Sequence, residues 1–131
     1  ESSIVLAISD EGLISVTDWG GGRINVFTTN GDVVGSLLEW GQEPGKLSNP
    51  TGIKIGPDGN LWVVDRGNHR IQRFTVDGEF ISSWGEFGDA QGQFKTPTSI
   101  NFDIYGLAFD DSGPLYVTDT GNHTIRKFVQ E

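Results

Sequence analysis

Three aspartates, Asp18, Asp65 and Asp119, each end an apolar run and open a polar turn. Two of those turns carry a histidine four residues on, His69 and His123. Carboxylate and imidazole together are the parts of an acid–base pair or of a metal site. Repetition argues against that chemistry. Each group recurs at one point of a recurring turn, so neighbouring copies set the histidines along a rim instead of converging on a centre. The aspartates therefore read as structural, accepting hydrogen bonds from turn amides and pairing across the turn with Arg23 or Arg70. Asn68, His69, Asn122 and His123 complete the same repeated turn. No catalytic residue, metal ligand or cofactor is assigned.

The turns belong to a larger unit. Asp58 to Phe74 reads DGNLWVVDRGNHRIQRF, Asp111 to Phe128 reads DSGPLYVTDTGNHTIRKF, and Glu11 to Phe27 reads EGLISVTDWGGGRINVF. Val, Trp, Ile and Phe between Gly and Asn turns predict β-strands, and three copies predict a repeat architecture. In the first copy the expected strands a to d are Ile4 to Ser9, Leu13 to Thr17, Ile24 to Thr28 and Val33 to Trp40. In the second they are Gly52 to Ile55, Leu61 to Val64, Ile71 to Val76 and Phe80 to Trp84. In the third, Leu107 to Phe109, Leu115 to Thr118 and Ile125 to Val129 are followed by the last residues of the chain, so an outer strand is lacking. Residues 100–106 and 107–113 look like a tandem heptapeptide duplication. Either could supply the innermost strand, and the spacing to strand b favours Leu107 to Phe109. Strand b is apolar on nearly every residue, as in a sheet covered on both faces. No window has helical spacing. The expected fold is all-β: about three four-stranded antiparallel blades of a β-propeller, near residues 4–41, 52–85 and 100–131.

The totals narrow the function. Nine Lys and Arg against 18 Asp and Glu leave a net charge of −9 over 131 residues, which disfavours a phosphate backbone as partner. No apolar run approaches the ~18 residues of a membrane span. Cysteine is absent, which removes disulfides and thiolate chemistry. Methionine is absent as well and the chain begins at Glu1, which implies that something upstream has been removed.

The pieces Pro50-Thr51-Gly52-Ile53, Asp58-Gly59-Asn60-Leu61, Val64-Asp65 and Gly67-Asn68-His69-Arg70-Ile71 with Phe74 resemble the NHL-repeat family. The Asn-His step stands again at Asn122-His123, whereas the first copy has Gly21-Gly22 and the third has Thr124 in place of Arg70. The resemblance implies a six-bladed propeller used mostly as a rigid interaction platform, of which this chain supplies about half. Two blade faces would then be uncovered, to be closed by a second copy, by a partner chain, or by further blades. A propeller-type amidating lyase resembles the family in fold and gathers metal ligands toward the ring axis. The expected axial strands here carry no histidine.

Alternating strand direction puts the b–c turns and the loops between blades on one rim. There the residue after the repeated aspartate is Trp19, Arg66 or Thr120, varying where its neighbours repeat. With Arg23 and Arg70 these are the expected partner-binding residues. The other rim collects Asp10, Glu11, Asp32, Asp58, Asp77, Glu79, Asp110 and Asp111, read as a solvated acidic edge with no cation beside it. Trp40 and Trp84, each followed by Gly, read as equivalent packing residues. The function expected is a non-enzymatic protein-interaction module that binds a protein partner or its own copy. The alternatives are a metal-dependent lyase or hydrolase on the same fold, or single-stranded RNA binding.

Overall fold

Apolar runs bounded by tight Gly turns fold as the sequence predicts, into antiparallel sheets. The computed structural model describes residues 6–94, 97–102 and 115–128. The first sheet holds β1 (Leu6–Ile8), β2 (Leu13–Asp18), β3 (Arg23–Thr28) and β4 (Val33–Leu37). The second holds β5 (Pro50–Ile55), β6 (Leu61–Asp65), β7 (Arg70–Phe74) and β8 (Phe80–Trp84). The third holds β9 (Pro97–Phe102), β10 (Leu115–Asp119) and β11 (Thr124–Phe128). Within each sheet the strands lie in chain order, every pair antiparallel. Two single-turn 3₁₀ helices, Arg66–Asn68 and Thr120–Asn122, occupy b–c turns where no helix was expected.

Faces of adjacent sheets form the core. Ala7, Ile24 and Val26 of the first blade pack on Ile53, Leu61, Val63 and Phe74 of the second, with Leu47 from the connecting loop. On its other face the second blade offers Trp62, Val64 and Ile71 to Val117 of the third, with Phe94 from the next loop. Every residue of β6 is buried, the burial expected of a strand sandwiched on both sides. Full burial of each large apolar side chain contributes about 1.5–3 kcal/mol, so the stability of a blade resides in its neighbours. Trp84 meets Trp62 edge to face, ring centroids 5.4 Å apart, the packing role expected of it.

Two expectations are corrected here. The innermost strand of the third blade is Pro97–Phe102, with Val117 opposite Ile100 and Leu115 opposite Phe102. Leu107 to Phe109 lies outside the described residues. The incoming loop decides the matter: Leu47 and Phe94 are both fully buried anchors, and each is followed three residues later by the Pro that opens β5 or β9. A loop pinned at both ends fixes where the strand begins.

Trp40 is the second correction. Strand β4 ends at Leu37, which pairs with Ile24 as Trp84 pairs with Ile71. Leu37 is thus the counterpart of Trp84, and Trp40 lies three residues further on, 63 % exposed. Leu38, at φ 70°, turns the chain out of the sheet where the second blade uses Gly85 at φ 103°. Measured from the strand end, the two connecting loops reach their anchors over the same length, although the sequence suggests different ones.

Candidate functional site

The b–c turns and the inter-blade loops meet in a network built on Asp65. Its buried carboxylate accepts hydrogen bonds from the Ser48 amide at 2.7 Å, Asn68 Nδ2 at 2.9 Å, Arg70 Nε at 2.7 Å and Gln72 Nε2 at 3.0 Å. Each donor also ties down the loop that arrives from the first blade, or belongs to it. Asn68 Nδ2 donates to the Gly41 carbonyl at 2.9 Å, and Arg70 Nη2 donates to the Glu43 and Lys46 carbonyls at 2.9 and 2.7 Å. Gln72 Nε2 donates to Lys46 O at 2.6 Å, while its Oε1 accepts from the Gly45 amide at 2.9 Å. Burial raises the Asp65 carboxyl above its ordinary pKa, outweighing the pull of these donors and of the Arg70 charge.

The third blade repeats the device. Asn122 Nδ2 donates to Asp119 Oδ2 at 2.7 Å and to the Gly88 carbonyl of the second loop at 2.9 Å. His69 and His123 follow their 3₁₀ turns at φ 55° and 54°, the left-handed conformation that returns the chain to strand c. Gly22 takes that place in the first blade at φ 61°. The histidines thus serve by backbone conformation, and the His69 ring meets Phe87 edge to face at 4.9 Å. Among the described residues no group of three or more His, Asp or Glu is placed to hold a metal ion.

The first blade departs from this pattern. Asp18 accepts the Gly21 amide at 2.9 Å and meets Arg23 at 3.5 Å, both side chains well exposed. Gly21 replaces Asn68, so no amide side chain is available there to reach a loop.

Trp40 and Phe87 occupy equivalent places at the start of their loops, bridging to Leu47 and Phe94 respectively. Trp40 lies against Gly22, where an added Cβ would sit 2.8 Å from its ring. Both rings stay open to solvent, Trp40 at 63 % and Phe87 at 61 %, and Trp19 on the first b–c turn is 39 % exposed. Of the expected partner-binding residues, Trp19 and Arg23 are exposed and Arg66 is half-buried in its 3₁₀ turn. The Thr120 side chain lies outside the description. Arg70 is a correction: it is buried and committed to Asp65 and the loop carbonyls, which removes it from the solvent-facing set. Sequence reasoning missed Ser48, Gln72, Trp40 and Phe87. A polar Gln inside an otherwise buried strand was the available signal for the first pair, and an aromatic seven residues before each loop anchor was the signal for the second.

On the opposite rim Asp10, Glu11, Asp32, Asp77 and Glu79 are exposed as expected, but Asp58 is not a bare carboxylate. It accepts Trp62 Nε1 at 3.0 Å, Asn60 Nδ2 at 3.0 Å and Arg73 Nη1 at 3.3 Å, with Arg73 stacked 5.3 Å over the Trp62 ring. Burial alone would raise its pKa. The hydrogen bonds from Trp62 and Asn60 and the Arg73 charge outweigh burial and hold it below 3.8. No helix among the described residues is long and apolar enough to cross a membrane.

Comparison with known proteins places this geometry. The family model for the NHL repeat matches residues 47–74 and 106–128. No curated protein sequence matches the chain. Among solved structures, an auxiliary nutrient binding protein from Bacteroides ovatus aligns over 99 % of this chain and 38 % of its own, with 17 % identity and a TM-score of 0.72. A streptogramin B lyase aligns over 94 % of this chain and 39 % of its own, at 19 % identity and a TM-score of 0.64. A luciferin-regenerating enzyme aligns over 91 % and 38 %, at 21 % identity and a TM-score of 0.60. The chain spans about two fifths of the length of these structures, and at such identities the likeness is one of fold. The chain carries NHL repeats at residues 47–74 and 106–128 and shares its fold with β-propeller proteins.

Proposed function

We propose that the chain is a non-enzymatic interaction module that presents the rim of b–c turns and inter-blade loops to a protein partner. One observation carries the reading. Trp40 and Phe87 stand exposed on this rim on loops whose backbone is held by the Asp65 and Asp119 networks, and Trp19 is exposed on the b–c turn of the first blade. Exposed aromatics on a fixed backbone are the usual anchors of a binding surface, because little conformational freedom is lost on contact. Trp40 and Phe87 differ in residue type while the clamp that holds their loops recurs in the second and third blades, the arrangement that suits recognition better than folding.

The test places a photo-crosslinking residue at Trp19, Trp40 or Phe87, and in a parallel set at Asp10, Asp32 or Asp77. A discrete protein adduct from the first set is expected, with Trp40→Ala plus Phe87→Ala weakening that partner by about 10- to 100-fold, the scale of a lost hot spot. Adducts confined to the acidic set would overturn the reading.

A further inference from the structure

The c–d turns of the first two blades share one geometry and differ at one residue. At Thr28 to Asp32 the Gly31 amide donates to the Thr28 carbonyl at 2.9 Å, the Thr28 amide to the Asp32 carbonyl at 2.8 Å and the Asp32 amide to Thr28 Oγ1 at 3.2 Å. At Thr75 to Glu79 the same three bonds measure 2.9, 2.8 and 3.1 Å. Gly31 and Gly78 take φ 86° and 91°. Before the glycine stands Asn30 in one turn and Asp77 in the other, both exposed. Asp77 belongs to the blade that has a sibling on each side, so this turn faces water even inside the array. An asparagine is labile where the next backbone nitrogen can attack its side-chain amide, and glycine, lacking Cβ, leaves that nitrogen unshielded. Asn30 is the one asparagine of the chain followed by glycine. The others precede Val26, Pro50, Leu61, His69, Phe102 and His123; proline has no N–H, and the rest crowd the nitrogen. Asn60, Asn68 and Asn122 also donate their amides to carboxylates.

We propose that Asn30 is a site of spontaneous deamidation in the folded protein, a modification independent of the aromatic rim and placed on the opposite one. The Gly31 nitrogen loses its proton to solvent base and attacks Asn30 Cγ. The N–Cγ bond forms, the Cγ–Nδ2 bond breaks, Nδ2 takes protons from solvent and leaves as ammonia, and a succinimide ring remains. Water then opens the ring at one carbonyl or the other, giving aspartate or isoaspartate, with nothing oxidised or reduced. Because the Gly31 N–H is tied to the Thr28 carbonyl, attack requires the turn to open, a local event at an exposed hairpin tip that leaves the blade folded. The two products differ in consequence. Aspartate reproduces the second blade, where Asp77 stands in the same turn. Isoaspartate adds a methylene to the backbone between the hydrogen-bonded ends of the turn and loosens the start of β4, where Val33 pairs with Phe27.

The test incubates the folded chain, the same chain unfolded in guanidinium chloride, and folded Asn30→Gln at mildly alkaline pH, then digests each with trypsin. Fragment masses of the peptide that begins at Ile24 locate the new acid, and enzymatic methyl transfer to the free α-carboxylate detects isoaspartate in it. In the folded chain Asn30 should convert ahead of every other asparagine, with isoaspartate appearing in that peptide, and more slowly than in the unfolded chain because of the Gly31 hydrogen bond. Asn30→Gln, whose longer side chain must close a larger ring, should lose the isoaspartate signal from that peptide. Conversion of Asn30 no faster than that of Asn25 in the same peptide would overturn the proposal. So would an Asn30 that stays intact in the folded chain over the time in which the unfolded chain converts completely. The two arms on the parent chain decide the matter by themselves if the variant loses its far-ultraviolet circular dichroism.

Discussion

Asp65→Ala and Asp18→Ala remove the same repeat residue and should differ sharply in cost. Without Asp65, the Arg70 guanidinium is left buried with its carboxylate gone, and the Ser48 amide and Gln72 lose an acceptor. Removing one partner of a buried ion pair costs about 3–5 kcal/mol. Asp18 accepts one turn amide, worth about 1 kcal/mol, and its exposed contact with Arg23 adds at most ~1 kcal/mol. The expected gap is therefore at least ~1 kcal/mol, and ~2–3 kcal/mol at the central values. Urea unfolding followed by tryptophan fluorescence measures it, read from the midpoint at constant slope. Replacing both partners, as Asp65→Leu with Arg70→Met, should recover part of the loss because no buried charge remains. Equal costs for the two alanine variants would refute the reasoning, since they would mean that burial and loop capture add nothing to the repeated residue.

The remaining predictions concern the histidine turn and pH. His69→Asn should stay within ~0.5 kcal/mol of the parent and His69→Val should cost ~1–2 kcal/mol, because Asn tolerates the left-handed conformation and a β-branched residue does not; thermal or urea unfolding separates them. Asp58, whose folded pKa lies below its unfolded value, contributes stability that is present above about 3.8 and is lost as the pH falls through the folded value. Asp58→Asn should flatten that acid limb in denaturation curves recorded at a series of pH values. Asp65 works in the other direction. With its folded pKa raised, its contribution is fullest below 3.8 and declines as the pH rises through the folded value, so it does not drive the acid limb.

Much of this fold was legible because its signals are local. Leu61 to Val64 reads as a buried strand, Asn30-Gly31 and Asp77-Gly78 as hairpin turns, and the recurrence of Asp65 as scaffold. The failures share one cause, which is that a loop's length and anchors are decided across blades. The duplicated heptapeptides offered two candidates for one strand, and the choice between them fell to Phe94, a loop residue. Trp40 and Trp84 share a following Gly yet stand three residues apart in the repeat, since Leu38 turns the chain where Gly85 does. Arg70 reads as an exposed rim cation until the loop carbonyls of Glu43 and Lys46 are seen to enclose it. The Asp65 network reaches Gly41 across 27 residues from Asn68, a distance over which no local pattern carries information.

The account rests most on the capture of an incoming loop by the turn of the next blade, and hydrogen exchange of the loop amides reads that directly. The Ser48 and Gly45 amides, held by Asp65 and Gln72, should exchange nearly as slowly as those of β6 and should be released in Asp65→Ala. Exchange of both at the rate of an open surface loop in the unmodified protein would contradict it.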